Sequence, residues 1–140
     1  YAQVFTATLR ATQETYAFKI VDKSKCQRYK KMDEVLVEKW VLANMRHPSV
    51  IKIFHTFQDR AALYLVLEHV PGGELWAAVH KQGLRLSLAS FYVAQLLEVL
   101  QYLHEGGVVH RDVKPENVLI TKDGHVKLID YGTAKLMDEA

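Results

Sequence analysis

Short runs of alternating apolar and polar residues dominate the first half of the chain. Two of them, residues 4–9 and 16–21, are rich in β-forming side chains and are separated by a polar stretch, which predicts a hairpin. Two more runs, at 50–57 and 63–67, flank a polar turn and predict a second pair of strands. The first half of the chain is therefore predicted to form an antiparallel sheet.

A helical pattern interrupts these strands between residues 33 and 45. Apolar side chains recur there at spacings of three and four, and the pattern stops before Pro48, because the residue preceding a proline is disfavoured in the α conformation. The members of the apolar repeat are Val35, Leu36, Trp40, Leu42 and Ala43. The lysine-rich stretch 23–31 precedes this helix and is predicted to form a solvated basic face.

The second half of the chain changes character at Pro71-Gly72-Gly73, a strong chain breaker that predicts a lobe boundary. A short helix is predicted at 74–81 and a long one at 87–105, which Gly106 ends. The long helix is apolar on nearly all sides, which predicts deep burial. Two short strands at 118–120 and 126–129 are predicted to complete this half.

Composition and charge indicate a globular domain and argue against some kinds of partner. The chain has 140 residues, of which 49% are hydrophobic and 24% charged, as in a folded globular domain. A net charge of +2 argues against nucleic acid or a membrane surface as a partner. Cys26 is the only cysteine, so no internal disulfide can form, and a reducing, cytoplasmic location is expected. No apolar run is expected to span a bilayer. Because the first residue is Tyr1, we expect the chain to begin inside a longer protein.

The segment from His110 to Asn117 carries the candidate chemistry. It fits the pattern H-R-D-x-x-x-x-N, and Asp130-Tyr131-Gly132 follows it after a predicted strand. Phosphoryl transfer needs a carboxylate for the attacking hydroxyl, oxygen ligands for Mg²⁺ and positive charge beside the phosphoryl group. Asp112 suits the first role, Asn117 and Asp130 the second, and Lys114 the third.

These motifs resemble those of eukaryotic protein kinases over the whole chain. The resemblance is to the AGC group, and within it to the 3-phosphoinositide-dependent protein kinase family, which has Thr where Thr133 stands instead of an aromatic residue. It implies an α+β, two-lobed protein kinase fold, truncated. Residues 1–68 would form the ATP-binding lobe, a five-stranded antiparallel sheet with one helix, and residues 69–140 a partial helical lobe. The motifs that carry the resemblance are Thr56-Phe57-Gln58-Asp59, Gly73-Glu74-Leu75, Tyr102-Leu103-His104, His110 to Asn117 and Asp130 to Lys135.

The resemblance also implies a nucleotide site for ATP with Mg²⁺. Lys19 would contact the α- and β-phosphates and pair with Glu38 on the following helix, which makes both part of the catalytic set with Asp112, Lys114 and Asn117. Asn117 and Asp130 would hold the metal. The implied nucleotide contacts are Tyr1, Ala2, Val4, Ala17, Lys19, Leu67, Glu68, His69, Val70, Glu74, Glu116, Leu119 and Asp130. Tyr1 and Ala2 resemble the end of a Gly-rich loop, with Ala2 replacing its third glycine.

Regulatory features follow from the same resemblance. Arg111 would bind a phosphorylated residue of the activation loop. A column of Leu42, Ile53, His110 and Tyr131 would connect the lobes, and the Tyr131 hydroxyl would need a partner if buried. Cys26 is expected to be an inert, partly buried thiol.

An alternative role for the helix region is a docking pocket for the phosphorylated hydrophobic tail of substrates. The resemblance places this pocket near Met32, Val35, Leu36, Lys39, Gln58 and Leu63.

The expected function is ATP-dependent phosphorylation of protein Ser or Thr hydroxyls in signalling, because Lys114-Pro115-Glu116 resembles serine/threonine kinases. The expected substrates are other AGC kinases. The chain alone is expected to be inactive and to expose apolar surface, because it lacks the A-P-E motif and later helices.

Two alternatives remain open: a nucleotide-binding pseudokinase or scaffold, and a small-molecule kinase of the same fold. The intact set Lys19, Asp112, Asn117 and Asp130 disfavours the first, and Lys114-Pro115-Glu116 disfavours the second.

Overall fold

A computed structural model describes residues 1–138, so the last two residues of the predicted second lobe lie outside the described part. The alternating runs of the first half form one antiparallel sheet in the order β1-β2-β4-β3. Its strands are β1 (Ala2–Thr8), β2 (Thr15–Asp22), β3 (Ile53–Gln58) and β4 (Ala62–Glu68). Five strands were expected in this sheet, but within residues 1–138 it has four.

The third strand begins at Ile53, later than the apolar run beginning at Val50 predicted. The residues before it bond to the other half of the molecule. The amide of Ile51 donates to the carbonyl of Leu128, and the amide of Leu128 donates to the carbonyl of Ser49. This segment therefore fastens the sheet to the second lobe instead of lengthening β3.

Two helices follow β2, α1 (Lys23–Arg28) and α2 (Met32–Asn44). The sequence predicted only the second, because the lysines of α1 carry little apolar periodicity. Asp22 starts α1, with its side chain accepting a hydrogen bond from the amide of Lys25. The exposed lysine and arginine of this short helix agree with the predicted basic face.

The two faces of α2 differ from the prediction. Val35, Glu38, Val41 and Leu42 are buried, at the helical spacing of three and four. The apolar side chains of Leu36 and Trp40 are instead exposed, at 56% and 42%. The apolar positions predicted as one stripe therefore divide between the core and the surface.

The second lobe begins after β4 and combines helices with short strand pairs. Strand β5 pairs with β8, and β6 pairs with β7. The elements are α3 (Leu75–Gln82), α4 (Leu86–Glu105), β5 (Val108–Val109), a 3-10 turn (Pro115–Asn117), β6 (Val118–Ile120), β7 (Val126–Leu128) and β8 (Lys135–Leu136). This arrangement of an antiparallel sheet and a partial helical lobe confirms the predicted fold class.

The deep burial predicted for α4 is wrong for most of its surface. Tyr92, Val99 and Leu103 are buried, but Leu86 and Leu97 are 83% and 62% exposed. One side of the helix packs against β5, β7 and residues 46 and 47, and its other side is exposed in residues 1–138. The described part of the chain thus exposes apolar surface on its second lobe, as the sequence predicted.

The same helix corrects the prediction that no run is long enough to cross a membrane. By length and composition alone, α4 could do so. This is weak evidence for a membrane span, because helices of folded domains pass the same test. Val99 and Leu103 have no exposed surface and belong to the core shared by both lobes, so we assign α4 to the folded domain.

The lobes meet behind a cleft and are held by specific contacts. The amide of Arg46 donates to the hydroxyl of Tyr102 at 2.8 Å, and the rings of His47 and Tyr102 lie 5.0 Å apart. One buried cluster runs from α2 and β4 into α4, β6 and β7. This shared core fixes the sheet and the second lobe on either side of the cleft.

Candidate active site

A cleft of about 430 Å³ lies between the sheet and the second lobe. Strands β1, β2 and β4 form its upper wall, and the 3-10 turn, β6 and the end of β7 form its lower wall. Its lining residues are Val4, Ala17, Lys19, Glu38, Ile51, Leu67, Glu68, Glu74, Lys114, Glu116, Asn117, Leu119, Ile129 and Asp130. Twelve of these fourteen were predicted as site residues from the sequence.

Lys19 and Glu38 form an ion pair at the inner end of the cleft. The Lys19 ammonium donates to both carboxylate oxygens of Glu38, at 2.7 and 2.9 Å. Glu38 is 4% exposed. A buried carboxylate is unfavourable without a partner, so this bidentate contact orients the Lys19 ammonium toward the cleft.

The loop before β6 places three polar side chains in contact. The side-chain amide of Asn117 donates to the carboxylate of Asp112 and to its backbone carbonyl, both at 2.9 Å. The Lys114 ammonium lies 3.3 Å from the other Asp112 oxygen. Asn117 is buried and Asp112 half-buried. Asp112 thus has one oxygen tied to Asn117 and the other beside a cation, which fixes the carboxylate at the edge of the cleft.

His110 supports this loop from below and is 1% exposed. Its Nδ1 accepts from the amide of Asp112 at 3.1 Å, and its Nε2 lies 2.9 Å from the carbonyl of Ile129. An acceptor at Nδ1 and a carbonyl at Nε2 define a neutral ring protonated on Nε2. This histidine therefore couples the backbone before Asp112 to the backbone before Asp130.

Asp130 and Arg111 both have left-handed backbone conformations, with φ of 59° and 68°. Such values are uncommon outside glycine, and they cluster at functional sites. At Asp130 the turn begins two residues after the end of β7 and brings the side chain to the cleft. The Arg111 guanidinium donates to the carbonyl of Thr133 at 2.7 Å. The two turns thereby connect the Asp112 loop to the segment after Asp130.

Tyr131 fills the centre of the core beside His110. Its ring meets the His110 ring edge-on at 5.0 Å, and its hydroxyl donates to the carbonyl of Leu128 at 3.0 Å. The buried hydroxyl therefore has the hydrogen-bond partner that was expected from the sequence. Burial, with a smaller effect from the charge of Glu38, raises the pKa of Tyr131 well above its ordinary value. Leu42 and Ile53 pack in the same core cluster, as predicted.

The charges of the cleft suit a metal bound to phosphates. Five carboxylates and two ammonium groups line it, and two of the carboxylates already have lysine partners. No group of three or more His, Cys, Asp or Glu side chains that could hold a metal alone was found in residues 1–138. Asn117 and Asp130 fit as oxygen ligands for Mg²⁺, an ion that proteins hold with few side chains and substrate phosphates.

Four predicted nucleotide contacts do not line the cleft. Ala2 packs against the small cluster of Val21, Cys26 and Val35, and Tyr1 reaches α2, where its hydroxyl lies 3.5 Å from Glu34. Partial burial and nearby carboxylates raise the pKa of Tyr1 to about 12. His69 and Val70 lie in the connection after β4, where their predicted role uses backbone groups rather than side chains. The nucleotide roles of Tyr1, Ala2, His69 and Val70 remain predictions.

Two lining residues were missed, Ile51 and Ile129. Ile129 could have been predicted, because it directly precedes the predicted metal ligand Asp130 in the sequence. Ile51 could not, because the run 50–57 was interpreted as a strand. In the structure its backbone bonds to β7 and its side chain is 5% exposed at the rear of the cleft.

The side chains near the predicted tail-docking pocket have mixed environments. Leu36 and Met32 are exposed on α2, whereas Val35 is 2% exposed and packs with Cys26. A tail peptide could therefore touch Leu36 and Met32 but not Val35. Cys26 is fully buried rather than partly buried, and its burial raises its thiol pKa, which agrees with an inert thiol.

Comparison with known proteins agrees with this geometry. The family model of the protein kinase domain matches residues 1–140. The chain is 42% identical over 142 residues to 3-phosphoinositide-dependent protein kinase 1 of Arabidopsis thaliana, covering 100% of this chain and 29% of that protein. It is 41% identical to serine/threonine-protein kinase PKH2 of Saccharomyces cerevisiae, over 99% of this chain and 13% of that protein.

A third relative is 3-phosphoinositide-dependent protein kinase B of Dictyostelium discoideum, 41% identical over 96% of this chain and 15% of that protein. The chain thus spans less than a third of the length of these relatives. The match to the kinase family model nevertheless extends over every element of the cleft and over the Asp112 loop. The chain belongs to the protein kinase domain family.

Proposed function

We propose that this chain is the nucleotide-binding and catalytic-loop part of a serine/threonine protein kinase. The observation that carries the proposal is the hydrogen bond from Asn117 to Asp112 at 2.9 Å, at the edge of a cleft that Lys19 and Asp130 also line. A carboxylate, a cation and two oxygen ligands are the groups that phosphoryl transfer uses. The Saccharomyces cerevisiae relative is named a serine/threonine-protein kinase, which supports the same substrate class.

Each group has a task in the transfer of the γ-phosphoryl group of ATP to a hydroxyl. Asp112 would accept or orient the proton of the attacking hydroxyl, because one of its oxygens carries only a 3.3 Å contact to Lys114. Lys114 would lie beside the transferring group and balance its charge. Lys19 would hold the α- and β-phosphates, positioned by its pair with Glu38.

Asn117 and Asp130 would hold Mg²⁺, which supplies positive charge to the phosphate oxygens when bound. Asn117 can present its amide oxygen to a ligand, because its amide nitrogen is already directed at Asp112. Asp130 is exposed, and its left-handed backbone directs the carboxylate into the cleft. These two side chains would therefore position the phosphates relative to Asp112.

The adenine part would lie between apolar side chains of both lobes. Val4 and Ala17 come from the sheet and Leu119 from β6, and all three line the cleft. Leu67, at the end of β4, borders the same space. Glu74 directly precedes α3 and forms an isolated bridge to Leu119, which would bring its side chain near a ribose.

The finer assignments rest on resemblance. We propose that the protein is an AGC kinase that phosphorylates other AGC kinases in cytoplasmic signalling. We also propose that Leu36, Met32 and Lys39 on α2 help to dock the tails of those substrates, with Gln58 and Leu63 nearby. Weaker tail-peptide binding by a Leu36→Glu variant, with unchanged ATP binding, would support this docking. An unchanged affinity for the tail would contradict it.

The experiment that tests the proposed reaction is a phosphotransfer assay on the full-length protein that contains this chain. Labelled γ-phosphate from ATP should appear on Ser or Thr of a protein substrate. Asp112→Asn should lower the rate by about 10²–10⁴-fold, the usual contribution of a positioned base. Asp123→Asn, in the exposed turn between β6 and β7, is the matched control and should keep the rate. Equal rates in all three proteins would refute the assigned role.

A further inference from the structure

A second concave region lies on the rear of the molecule, away from the Asp112 loop. It is a groove of about 560 Å³ between the C-terminal half of α2, the connection 45–52 and strand β3. We call it the rear groove. Leu42, Met45 and Val50 belong to its lining and are buried in the shared core. Its volume is within the usual range of concave ligand sites on proteins.

The floor and rim of the rear groove differ in polarity. The floor is apolar, whereas Lys39, Arg46 and Lys52 stand on the rim and are exposed. No ion pair involves these three side chains in residues 1–138. The Lys52 ammonium instead lies 4.8 Å from the centre of the exposed Phe54 ring. The rim therefore carries three cations without an anionic partner from the described chain.

Among residues 1–138, Glu68 is the one carboxylate that lines the groove, and it already has cationic and amide partners. Glu68 accepts from the Lys127 ammonium at 2.9 Å and from the amide of Lys52 at 2.8 Å. The whole chain has a net charge of only +2, so the cationic rim is a local feature. Exposed lysines and arginines usually form a solvated surface. Here they surround an apolar concavity, and this combination indicates a binding surface instead of a merely solvated one.

We propose that the rear groove is a docking site for an acidic segment of a partner protein. The segment would place one apolar side chain on the floor near Leu42 and Met45. Its carboxylates would meet Lys39, Arg46 and Lys52, where charge-assisted contacts favour an anion. This site is separate from the phosphate end of the nucleotide cleft, although Ile51 and Glu68 border both spaces.

The test is fluorescence anisotropy with the full chain and a labelled peptide, Glu-Asp-Phe-Glu-Asp-Leu. The double variant Arg46→Glu/Lys52→Glu leaves the proposed tail-docking residues on α2 unchanged and should bind the peptide at least about tenfold more weakly, since two favourable charge contacts become repulsive. The matched control is Lys25→Glu/Arg28→Glu on α1. It makes the same change in net charge on exposed residues outside the groove, and its affinity should change less than about twofold.

Two further measurements address the apolar floor and the location. Ala43→Trp fills the groove without changing charge and should weaken binding, while circular dichroism confirms that each variant is folded. A peptide with Gln and Asn in place of its acids should also bind about tenfold more weakly. The proposal is overturned if both double variants lose affinity equally, if the uncharged peptide binds as well, or if saturating Mg-ATP displaces the acidic peptide.

Discussion

The Glu38 carboxylate lies 2.7 Å from the Lys19 ammonium, although the two residues belong to different elements. The pair connects α2 to β2 at the inner end of the cleft, where Glu38 is almost inaccessible. A charge in such a place is stable only with its partner. The orientation of α2 against the sheet therefore depends on this contact.

We predict that Glu38→Gln destabilises the chain, because the Lys19 ammonium loses its ionic partner in a mostly buried place. The free energy of unfolding should fall by about 3 kcal/mol in urea titration. The matched control is Glu34→Gln, which removes the more accessible pair between Glu34 and Lys31 at the start of the same helix. That change should cost less than about 1 kcal/mol. Equal losses in the two variants would show that the buried pair has no special role.

Gly72 is predicted to tolerate no side chain. A Cβ at this position would lie 1.9 Å from the carbonyl oxygen of Ile120, a backbone atom of β6 that cannot rotate away. Gly72→Ala should therefore reduce the free energy of unfolding by about 3 kcal/mol or more and weaken ATP binding, because the connection between the lobes must shift.

The control for Gly72 is Gly124, in the turn between β6 and β7. Its φ of 81° strains an alanine, but a Cβ there would meet no atom of residues 1–138 within 4 Å apart from its chain neighbours. Gly124→Ala should cost only about 1 kcal/mol. Urea titration of both variants separates the steric clash from backbone strain. A larger loss at Gly124 than at Gly72 would contradict the close approach to Ile120.

The buried hydroxyl of Tyr131 should make the free energy of unfolding depend on pH in alkaline solution. Its folded-state pKa is raised by burial, so above pH about 10 the unfolded chain loses this proton while the folded chain keeps it. The contribution of Tyr131 is thus complete below pH 10 and is lost as pH rises above it.

The variant Tyr131→Phe isolates this effect, because it keeps the ring but not the titrating hydroxyl. At pH 7 it should be about 1 kcal/mol less stable, since the bond to Leu128 is lost. Between pH 9 and 11 the wild type should lose more stability than the variant, so that the difference shrinks. Parallel pH profiles of the two proteins would rule out a buried neutral phenol.

The Asp112 loop was predictable because its residues are adjacent in the sequence and its chemistry requires fixed spacings. Asp112 contacts both Asn117 and Lys114, which brings together three residues to which the sequence assigned roles in phosphoryl transfer. The pairing of Lys19 with Glu38 was also predicted, because a strand lysine and a helix carboxylate fell at the expected separation.

The surfaces of the helices were less predictable. The apolar repeat of α2 did not reveal that Glu38 faces the core while Leu36 faces outward. Periodicity alone also suggested that α4 is buried all round, but only one of its sides has neighbours in the described chain. Burial depends on which elements pack against a helix, and this information is not local to the helix. The rear groove was missed for the same reason, since its lining comes from separate segments.

The central claim is that Asn117 and Asp130 hold Mg²⁺ for a nucleotide beside Asp112. Isothermal titration calorimetry of the chain with ATP tests it directly, with Mg²⁺ present or chelated, in the wild type and in Asp130→Asn. We predict that Mg²⁺ strengthens ATP binding by at least about tenfold in the wild type and has little effect in the variant. The same affinity with and without Mg²⁺ in the wild type, or the same gain in both proteins, would contradict the account.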